Sequence, residues 1–470
     1  MKMIIGGKWL DKSAKIDVQN PFDGSLVETV PEGSAEDVKN AITEAEKGYE
    51  INKNLPAHKR ISILKRCAEI MQERFEDLAI TIASEGSKTI VEARKEVGRA
   101  INTITISAEE ARRINGETIP FDSAEGSENR MGYYYRFPIG IIAAITPFND
   151  PLNLVAHKVG PAIAGGNSVV VKPATVTPLS ALKLAECLLD AGLPSEIISV
   201  VTGHGREIGE ALVTDPRIRM VSFTGGVDAG EIVSHLAGLK KIGMELGSNS
   251  PVIVLNDANL DNAVESCVSG SFWAVGQNCI GVQRIYIERD IYTEFRDRFV
   301  ERTLKYKTGF QLDEDTDMGP MITEAEAIRV IDWVDEAVKM GAKTLCGGTR
   351  KGSLVQPTVM ENMAVGAKLD CQEIFGPVVS LYPIDSLESA VEKSNSVNYG
   401  LHAAIFTSNL NSAHYAIRNL DAGSVIINDS TDYRIDLMPF GGVKNSGLGR
   451  EGIKYALQEM TEPKVVCFNL

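Results

Sequence analysis

The sequence predicts an α/β protein with two sheet-containing domains, and three observations lead to this fold class. The chain has 470 residues, which is too long for one ordinary hydrophobic core, so two or three structural units are expected. From about residue 139, short apolar β-rich runs alternate with amphipathic segments, a pattern typical of a parallel sheet covered by helices on both faces. A second alternating set from about 250 to 430 predicts a second α/β domain.

The first domain is predicted to start with helices and to continue with a parallel sheet. Residues 34 to 115 have the apolar spacing of helices, and Ser34 followed by Asp37 is a capping-box start. The predicted strands of the sheet are IIAAITPF, SVVVKP, IISVVTG and MVSFTGG, and the predicted helices are 154–164, 179–189, 206–212 and 228–236.

The second domain contains the predicted strands PVIVL, QRIYIE, GPVVSLYPI, HAAIFT and SVIIND, with helices such as IYTEFRDRFVERTL between them. Two further segments belong to neither core: NRMGYYYRF near 129–137 and PKVVCFNL at the end of the chain. Both have the composition of edge strands. They either pair across a subunit interface, which would make the protein a homo-oligomer, or form an edge hairpin within one chain.

Composition and charge exclude several classes of partner. The formal net charge is −15, which argues against nucleic acid and against an anionic membrane surface. The start, MKMIIGGKWL, lacks the long apolar run of a signal peptide, and the most apolar segment, FPIGIIAAITPF, is too short to span a bilayer. Seven scattered cysteines without a C-x-x-C pair predict free thiols. We therefore expect a cytoplasmic protein.

The turns after the first-domain strands are the expected nucleotide site, because ligands of parallel sheets bind beyond the carboxyl ends of the strands. Gly225 and Gly226 lie between a strand and a helix, where backbone N–H groups can hold a pyrophosphate. Lys172 ends the strand SVVVKP, where a cation can hold a ribose hydroxyl or a phosphate. No P-loop is present, which disfavours an ATPase, and no histidine stands in a metal-site context, so no metal is expected.

Three residues are candidates for covalent chemistry on a carbonyl group. Cys279, in GQNCIG, lies on a loop between a helix and a strand, where a thiolate can attack an aldehyde. Glu245, in MELG, ends a strand beside apolar neighbours, where a carboxylate can have a raised pKa and act as a general base. Asn149, in PFND, closes the first sheet strand, where its amide can donate to a developing oxyanion. Considered singly, each also fits an ordinary role as a buried thiol, a solvated carboxylate or a turn residue.

In their order along the chain, seven segments resemble the aldehyde dehydrogenase superfamily: AITPFNDPLN, VVVKPAT, SFTGGVDAG, MELGSNSP, GQNCIGVQR, QEIFGPVV and MPFGGVKNSGLGREG. They extend from Asn149 to Gly452, and the 34 residues that separate Glu245 from Cys279 match the family spacing. The resemblance implies a Rossmann-type cofactor domain (1–120 and 139–246), a second α/β domain with the nucleophilic cysteine (247–445) and a small β arm for oligomerisation (121–138 and 446–470).

The resemblance also implies a role for each site residue. Cys279 would attack the aldehyde to give a thiohemiacetal, with the oxyanion held by the Asn149 amide and the Cys279 backbone N–H. After hydride passes to the nicotinamide of NAD or NADP, Glu245 would activate water to hydrolyse the thioester. The remaining implied contacts are with the cofactor: Lys172 and position 175 at the adenosine ribose, Glu373 and Phe375 at the nicotinamide ribose, Gly225 and Gly226 at the pyrophosphate, and Thr146 and Pro147 in the cofactor cleft.

Four positions depart from the usual family pattern and bear on the cofactor. Thr175 stands where the family often has a Glu that binds the ribose 2′ and 3′ hydroxyls and disfavours a 2′-phosphate, so NADP should be tolerated. Gly226 replaces the usual Ser, Ser248 replaces the usual second Gly after Glu-Leu-Gly, and Phe148 replaces the usual Trp. We expect these changes to tune cofactor binding without removing activity.

Two segments indicate a branch of the family. SAEEARRINGE and DYRIDLMPFGG resemble the branch that oxidises lactaldehyde, phosphonoacetaldehyde, sulfolactaldehyde and, without phosphorylation, glyceraldehyde 3-phosphate. Residues at these places line the aldehyde tunnel in that branch, so Arg113 and Arg434 are expected to hold an anionic tail; the alternative is that both form surface or interface ion pairs. Asn278 stands where that branch often has Arg, which argues against a phosphate tail. Succinate semialdehyde is a further candidate substrate.

Other functions fit the sequence less well. CoA-acylating relatives generally lack the Glu at position 245, so its presence favours hydrolysis to the acid. A non-catalytic protein on the same fold would not need Asn149, Glu245, Cys279 and Glu373 together. A thiol hydrolase would need a histidine partner for the cysteine, and no histidine stands in a recognisable position.

Overall fold

A computed structural model describes residues 1–470. The strands are β1 (Met3–Ile5), β2 (Lys8–Leu10), β3 (Lys15–Gln19), β4 (Leu26–Pro31), β5 (Glu117–Ile119), β6 (Arg130–Pro138), β7 (Ile141–Ile145), β8 (Ser168–Lys172), β9 (Ile198–Val200), β10 (Ile218–Thr224), β11 (Lys241–Glu245), β12 (Ser250–Val254), β13 (Val282–Glu288), β14 (Lys343–Cys346), β15 (Arg350–Lys351), β16 (Leu354–Val355), β17 (Thr358–Glu361), β18 (Val378–Ile384), β19 (His402–Phe406), β20 (Ser424–Ile427), β21 (Gly447–Leu448) and β22 (Thr461–Asn469).

The helices are α1 (Ala35–Asn54), α2 (Ala57–Glu73), α3 (Phe75–Glu85), α4 (Ile90–Glu110), α5 (Asn153–Ala164), α6 (Leu179–Asp190), α7 (Glu210–Thr214), α8 (Val227–Ala237), α9 (Leu260–Phe272), α10 (Arg289–Thr303), α11 (Glu324–Lys339), α12 (Lys368–Cys371), α13 (Leu387–Asn395), α14 (Leu410–Asn419) and α15 (Ile453–Glu459). No helix in the structure combines the length and the apolar character that a membrane crossing requires.

The first sheet has eight strands in the order β2-β1-β9-β8-β7-β10-β11-β21, and its five central strands, β9 through β11 in that order, run parallel. These strands are continuously apolar because both faces are covered. Alternate residues of β7 enter different hydrophobic cores, with Ile142 and Ala144 on one face and Ile141 and Ala143 on the other. The predicted α/β fold with a parallel sheet and helical crossovers is confirmed.

The predicted helices precede the parallel strands of the first sheet and pack on both of its faces, with α1 on one face and α2 to α4 on the other. The region 34–115 contains α1 to α4, and Ser34 and Asp37 form the predicted capping box. The predicted helix over 206–212 is instead a π-helical turn at Gly205–Gly209 followed by α7. Such irregular turns are frequent at functional sites, and this one borders the cleft described below.

The second sheet has seven strands in the order β14-β17-β18-β13-β12-β19-β20. All of its strand pairs are parallel except β14 with β17. Every residue of β12 and β19 is buried, because helices cover both faces of this sheet as they do in the first domain. The second α/β domain is thus confirmed.

The β arm is a three-stranded sheet in the order β22-β6-β5. Its strands β6 and β22, the two segments that the sequence left unassigned, pair with each other within one chain from Thr461 opposite Pro138 to Asn469 opposite Arg130. The intrachain alternative is therefore the observed pairing. Large apolar side chains stay exposed on this sheet, as on a surface that a partner subunit covers: Met131, Tyr135, Phe137, Val465 and Phe468.

The ends of the predicted segments fall differently in the structure. Strand β5 lies in the arm, although the range 1–120 was expected in the cofactor domain. Strand β21 pairs antiparallel with β11 at the edge of the first sheet, although 446–470 was expected in the arm. Both differences have one cause, since short strands join whichever sheet edge their backbone reaches and their sequences carry little information about the partner.

Candidate active site

A cleft of about 880 Å³ opens at the carboxyl end of the first sheet, and we call it the main cleft. The turns after β7, β8, β10 and β11 form one wall, and loops of the second domain form the other. Ten predicted site residues line it: Thr146, Pro147, Asn149, Lys172, Gly225, Gly226, Glu245, Cys279, Glu373 and Phe375. Residues up to 229 positions apart in the sequence, from Thr146 to Phe375, thus meet at one surface.

The loop that carries Cys279 begins with a strained backbone. Residues 274–276 have consecutive positive φ angles of 50°, 62° and 66°, an uncommon conformation for a β-branched residue such as Val275. The first N–H of this run donates to the buried Glu92 carboxylate at 2.8 Å, which ties the loop to α4. A Cβ at residue 276 would lie 2.3 Å from the Gly376 carbonyl oxygen, so glycine permits the close contact with the opposite loop.

The Cys279 thiol lies in an apolar environment beside Phe440. Burial raises the pKa of Cys279 to about 12, and the nearby Arg434 guanidinium opposes this effect only in part. The resting side chain is therefore a neutral thiol at pH 7. It needs a base or an added positive charge before it can act as a nucleophile.

Glu245 ends β11 and is 4% exposed. Its main-chain carbonyl accepts a hydrogen bond from the Gly225 N–H at 3.1 Å, and its Oε2 atom has no hydrogen-bond partner within the protein. Burial raises the pKa of Glu245 well above its usual value, and the charge of Glu451 raises it further. A raised pKa makes the ionised carboxylate a stronger base, which suits a general base.

A buried charge network surrounds the Glu451 carboxylate, and the sequence reading missed it. Lys158 Nζ lies 2.8 Å from Glu451 Oε1 and 3.2 Å from Ser222 Oγ, and Arg434 Nη2 lies 3.4 Å from Glu451 Oε2. Burial alone would raise the pKa of Glu451, but Lys158 and its other positive neighbours outweigh burial and lower it. A signal was present, because Lys158 stands inside the otherwise apolar run of α5, and a buried lysine requires a partner.

The first-domain wall fits the ribose and phosphate groups of a dinucleotide. Lys172 is 7% exposed, and burial lowers its pKa to about 8, so an anionic or hydroxyl partner would stabilise its charged form. The hydroxyl oxygens of Thr146 and Thr224 are buried without a partner within the protein. Gly226 immediately precedes α8, whose first N–H groups can hold a phosphate.

The second-domain wall brings Glu373 and Phe375 to the cleft. Glu373 accepts a hydrogen bond from the Ser248 N–H at 2.8 Å, and burial raises its pKa to about 7. A Cβ at Gly247 would lie 2.5 Å from Glu373 Oε2, so this approach requires glycine. The Phe375 ring packs edge-on against Phe148 with centroids 5.7 Å apart, which joins the two walls.

Two other predicted residues lie beside the cleft lining. The Thr175 hydroxyl donates to the Gly203 carbonyl at 3.1 Å, at the turn after the neighbouring strand β9. The Asn278 side chain accepts from the Ile280 N–H at 3.2 Å, so it shapes the turn that contains Cys279. Asn278 is therefore used locally by the backbone in this structure.

The two predicted arginines have different surroundings. Arg113 pairs with Glu110 at 2.7 Å near the exposed end of α4. This is the surface ion pair that the sequence left open as the alternative, and it does not support a contact with the substrate tail. Arg434 has a side chain that is 6% exposed, contacts Glu451, and stacks on Phe440 with its Cζ 3.6 Å from the ring centroid. Only Arg434 is close enough to influence Cys279 and Glu245.

Two arginines near the site lack a sequence motif. Arg206 lies in the π-helical turn and lines the main cleft with Lys172. Arg99 lies 3.6 Å from Asp150 and 3.0 Å from Asp436, and Asp150 directly follows Asn149. Neither position could be assigned from the sequence, since only the fold brings these helices to the strand ends.

The raised pKa of Cys279 predicts how its alkylation depends on pH. Only the thiolate reacts, so the rate of modification by iodoacetamide should rise about tenfold per pH unit from pH 7 to pH 10 without a plateau. Peptide mass spectrometry of the pure protein measures the rate at Cys279 separately from the other six cysteines. A plateau at or below pH 8 would mean that the thiol ionises readily, and this description of its environment would be wrong.

Comparisons with known proteins agree with this geometry. Residues 9–466 match the aldehyde dehydrogenase family. The chain is 50% identical to aspartate-semialdehyde dehydrogenase 1 of Pseudomonas canavaninivorans, over 97% of each chain, and 44% identical to 3-sulfolactaldehyde dehydrogenase of Priestia aryabhattai, over 100% of this chain and 98% of that one. The crystal structure of the glyceraldehyde-3-phosphate dehydrogenase GapN from Methanocaldococcus jannaschii, complexed with NADP, superposes with a TM-score of 0.94 at 40% identity and covers 98% of this chain and 100% of that one. The chain therefore belongs to the aldehyde dehydrogenase family and is an NAD(P)-dependent oxidoreductase of small aldehydes.

Proposed function

We propose that this enzyme oxidises a small aldehyde with an anionic or hydroxylated tail to the carboxylic acid through a thioester on Cys279. The substrate would be of the lactaldehyde, sulfolactaldehyde, phosphonoacetaldehyde or glyceraldehyde-3-phosphate type, with succinate semialdehyde as the alternative. One observation carries the proposal: Cys279, Glu245 and Asn149 line the same cleft as the residues that fit the dinucleotide.

The first half of the reaction forms a covalent bond to sulfur. The Cys279 thiol releases its proton to solvent, and its sulfur attacks the aldehyde carbon while the carbonyl electron pair moves to oxygen, which gives a thiohemiacetal. The Asn149 amide and the Cys279 backbone N–H donate hydrogen bonds to the carbonyl oxygen as negative charge develops there. Bound NAD(P) supplies the acceptor for the hydride that leaves this carbon. The walls of the cleft hold the dinucleotide through Lys172 and Glu373.

The second half breaks the thioester with water. Glu245 takes a proton from the water as its oxygen attacks the acyl carbon, and the carbon–sulfur bond then breaks to release the acid and restore Cys279. Because burial raises its pKa, the ionised Glu245 carboxylate is a stronger base toward this proton. A buried base so close to the nucleophile favours water over CoA as the acyl acceptor.

The adenosine end of the main cleft supports the use of NADP. Thr175 carries no charge, so nothing at this position repels a 2′-phosphate. Lys172 and Arg206 line the same end of the cleft, and both side chains can pair with a phosphate. We propose that these two cations hold the 2′-phosphate and that NAD binds without this contact.

Arg434 is the proposed contact for an anionic tail. Its guanidinium is largely buried, its Nε has no partner within the protein, and it lies next to the network around Glu451. A guanidinium pairs well with carboxylate, sulfonate and phosphonate groups. The names of the relatives agree with this class, since aspartate semialdehyde, 3-sulfolactaldehyde and glyceraldehyde 3-phosphate all have an anionic tail.

The exposed apolar side chains of the β arm support a homo-oligomer. Met131, Phe137 and Phe468 lie on the two paired strands of this sheet. An exposed apolar surface of this kind is stable when a second subunit covers it. We propose that the arm is the contact between subunits.

Replacing Glu245 should separate the two halves of the reaction. Glu245→Gln should retain a pre-steady-state burst of NADPH, about one per active site, and lower the steady-state rate at least about 100-fold, because a general base typically contributes this much. Stopped-flow absorbance at 340 nm measures both phases. Cys279→Ala should lose the burst and the turnover while it still binds NADPH; a Cys279→Ala enzyme that turns over would exclude the thioester.

Position 175 should influence the choice between the two cofactors. Thr175→Glu should lower kcat/KM for NADP relative to NAD by about tenfold or more, because two negative charges then meet at the 2′ position. Thr175→Gln, of the same length but neutral, is the matched control and should leave the ratio within about threefold of the native value. Equal cofactor ratios in the Glu and Gln variants would remove this residue from cofactor selection.

Arg434 should influence the choice of substrate. Arg434→Met should lower kcat/KM for succinate semialdehyde relative to butanal, its neutral counterpart of equal carbon number, by about tenfold or more, since a charged hydrogen bond is lost. The ratio of the two kcat/KM values cancels any loss that is common to both aldehydes. Arg434→Lys should restore part of the lost preference for succinate semialdehyde. If the ratio falls in Arg113→Met and stays unchanged in Arg434→Met, the assignment of the tail contact is reversed.

A further inference from the structure

A second, much smaller cavity lies on the other side of Glu245 from the main cleft. Its volume is about 20 Å³, and we call it the Glu245 cavity. Its polar and charged lining residues are His157, Ser222, Glu245, Arg450, Glu451 and Glu459, and the rest of the lining is apolar. A space of this size holds one water molecule, which needs about 10–15 Å³ and two to four polar partners.

Two lining residues each have a polar atom without a hydrogen-bond partner within the protein: Nδ1 of His157 and Oε2 of Glu245. Both side chains are almost completely buried, at 1% and 4% exposure. Buried polar atoms are nearly always paired with protein or with an ordered water. Two such atoms at the same small cavity therefore indicate a shared partner.

The hydrogen-bond geometry fixes which ring nitrogen of His157 carries the proton. His157 Nε2 lies 2.9 Å from Asp436 Oδ1, and Arg99 lies 3.0 Å from the same carboxylate. Although burial would raise the pKa of Asp436, its hydrogen bond with His157 and the charge of Arg99 lower it, so the carboxylate is an acceptor. Nε2 must therefore donate. Burial lowers the pKa of His157, which favours the neutral ring, and in that form Nδ1 has a lone pair and can only accept.

We propose that one water bound in the Glu245 cavity donates one hydrogen to His157 Nδ1 and the other to Glu245 Oε2, and that His157 thereby acts as a positioning residue for the base. Ser222 Oγ accepts from Lys158 at 3.2 Å, which leaves its own hydrogen free to donate to this water. The water then has three partners, the usual number for a buried site. The proposal rests on the proposed role of Glu245 as general base.

The consequence is a change in the proton affinity of Glu245. A hydrogen bond donated to Oε2 stabilises the ionised carboxylate more than the neutral acid, so the water lowers the pKa that burial alone would give. Glu245 acts as a base only when ionised. Thioester hydrolysis therefore increases as the pH rises through the pKa of Glu245, and loss of the water should move this rise to higher pH.

The charged groups around the two residues stay unchanged in the experiment. They come from α4, α5, the loop after β20, the segment after β21 and the end of α15, and they are Arg99, Lys158, Arg434, Asp436, Arg450, Glu451 and Glu459. Gly243→Ala leaves these groups and their contacts in place, whereas His157→Phe also removes the hydrogen-bond partner of Asp436, so only a shift that both variants share is attributed to the cavity.

Two substitutions remove the water by independent routes. His157→Phe removes the acceptor at a similar side-chain volume, and Gly243→Ala adds a methyl group to the cavity wall. A Cβ at Gly243 meets only the flexible Met220 Cε, at 3.1 Å, so the strand can accept it. Gly98→Ala, on α4 with open space around its Cβ, is the matched glycine control.

The measurement is the pH profile of steady-state turnover, with the NADPH burst recorded in parallel. Both cavity variants should keep the burst and shift the acidic limb of kcat upward by about one pH unit, the size expected for a lost hydrogen bond to a charged group. The control should have the native profile. His157→Gln retains an amide donor for Asp436 and an acceptor oxygen, so it should move the limb back toward the native position.

Each other outcome overturns a defined part of the argument. Native profiles in both cavity variants would exclude the water and the role of His157, while a normal Glu245→Gln phenotype would leave the proposed function intact. A Glu245→Gln enzyme with native steady-state turnover would instead remove the proposed function itself. A high-resolution crystal structure of the native enzyme without water density between His157 Nδ1 and Glu245 Oε2 would also refute the inference.

Discussion

Burial of the Glu245 carboxylate is the constraint on which the rest of the site depends. The side chain ends β11 inside the protein, where an isolated negative charge is costly. Burial replaces the water around Glu245 by fixed protein groups, which makes the ionised carboxylate a stronger base. It can act as a base only if nearby positive charges keep this ionised form accessible. Lys158 and Arg434 provide the positive charge, and Glu451 limits its effect by pairing with both. The pKa of Glu245 is thus set by residues from three separate segments of the chain.

Much of the fold followed from local patterns in the sequence. The strands β7, β8 and β10 are mostly apolar and almost completely buried because helices cover both faces of the sheet, and this is the pattern that periodicity detects best. The catalytic candidates Asn149 and Glu245 were also accessible, since Glu245 ends a strand of a parallel sheet and Asn149 lies in the turn after another, where ligands bind. Cys279 differed: seven cysteines were available, and only the resemblance to a known family separated it from the rest.

What the sequence could not supply depends on contacts between distant segments. The edge strand β21 has two residues and acquires its partner only when the chain returns to β11. His157 and Lys158 stand on α5, whose other residues are mostly apolar. Their partners Asp436 and Glu451 follow almost 300 residues later. Arg113 was expected beside Arg434 at the substrate tail, yet its side chain pairs with Glu110 near the end of α4. Motifs identify which residues a family keeps at a site, whereas side-chain direction depends on the fold.

On the proposal that an anionic tail binds at Arg434, the same charge balance limits what this contact gains. Arg434 already faces Glu451, so an incoming tail meets an arginine that has an internal partner. Binding then exchanges one carboxylate contact for another and gains less than pairing with a free cation would. Selectivity among carboxylate, sulfonate and phosphonate must therefore come from geometry at the guanidinium and from the volume around it. This explains how relatives with closely similar folds can carry names for several different anionic aldehydes.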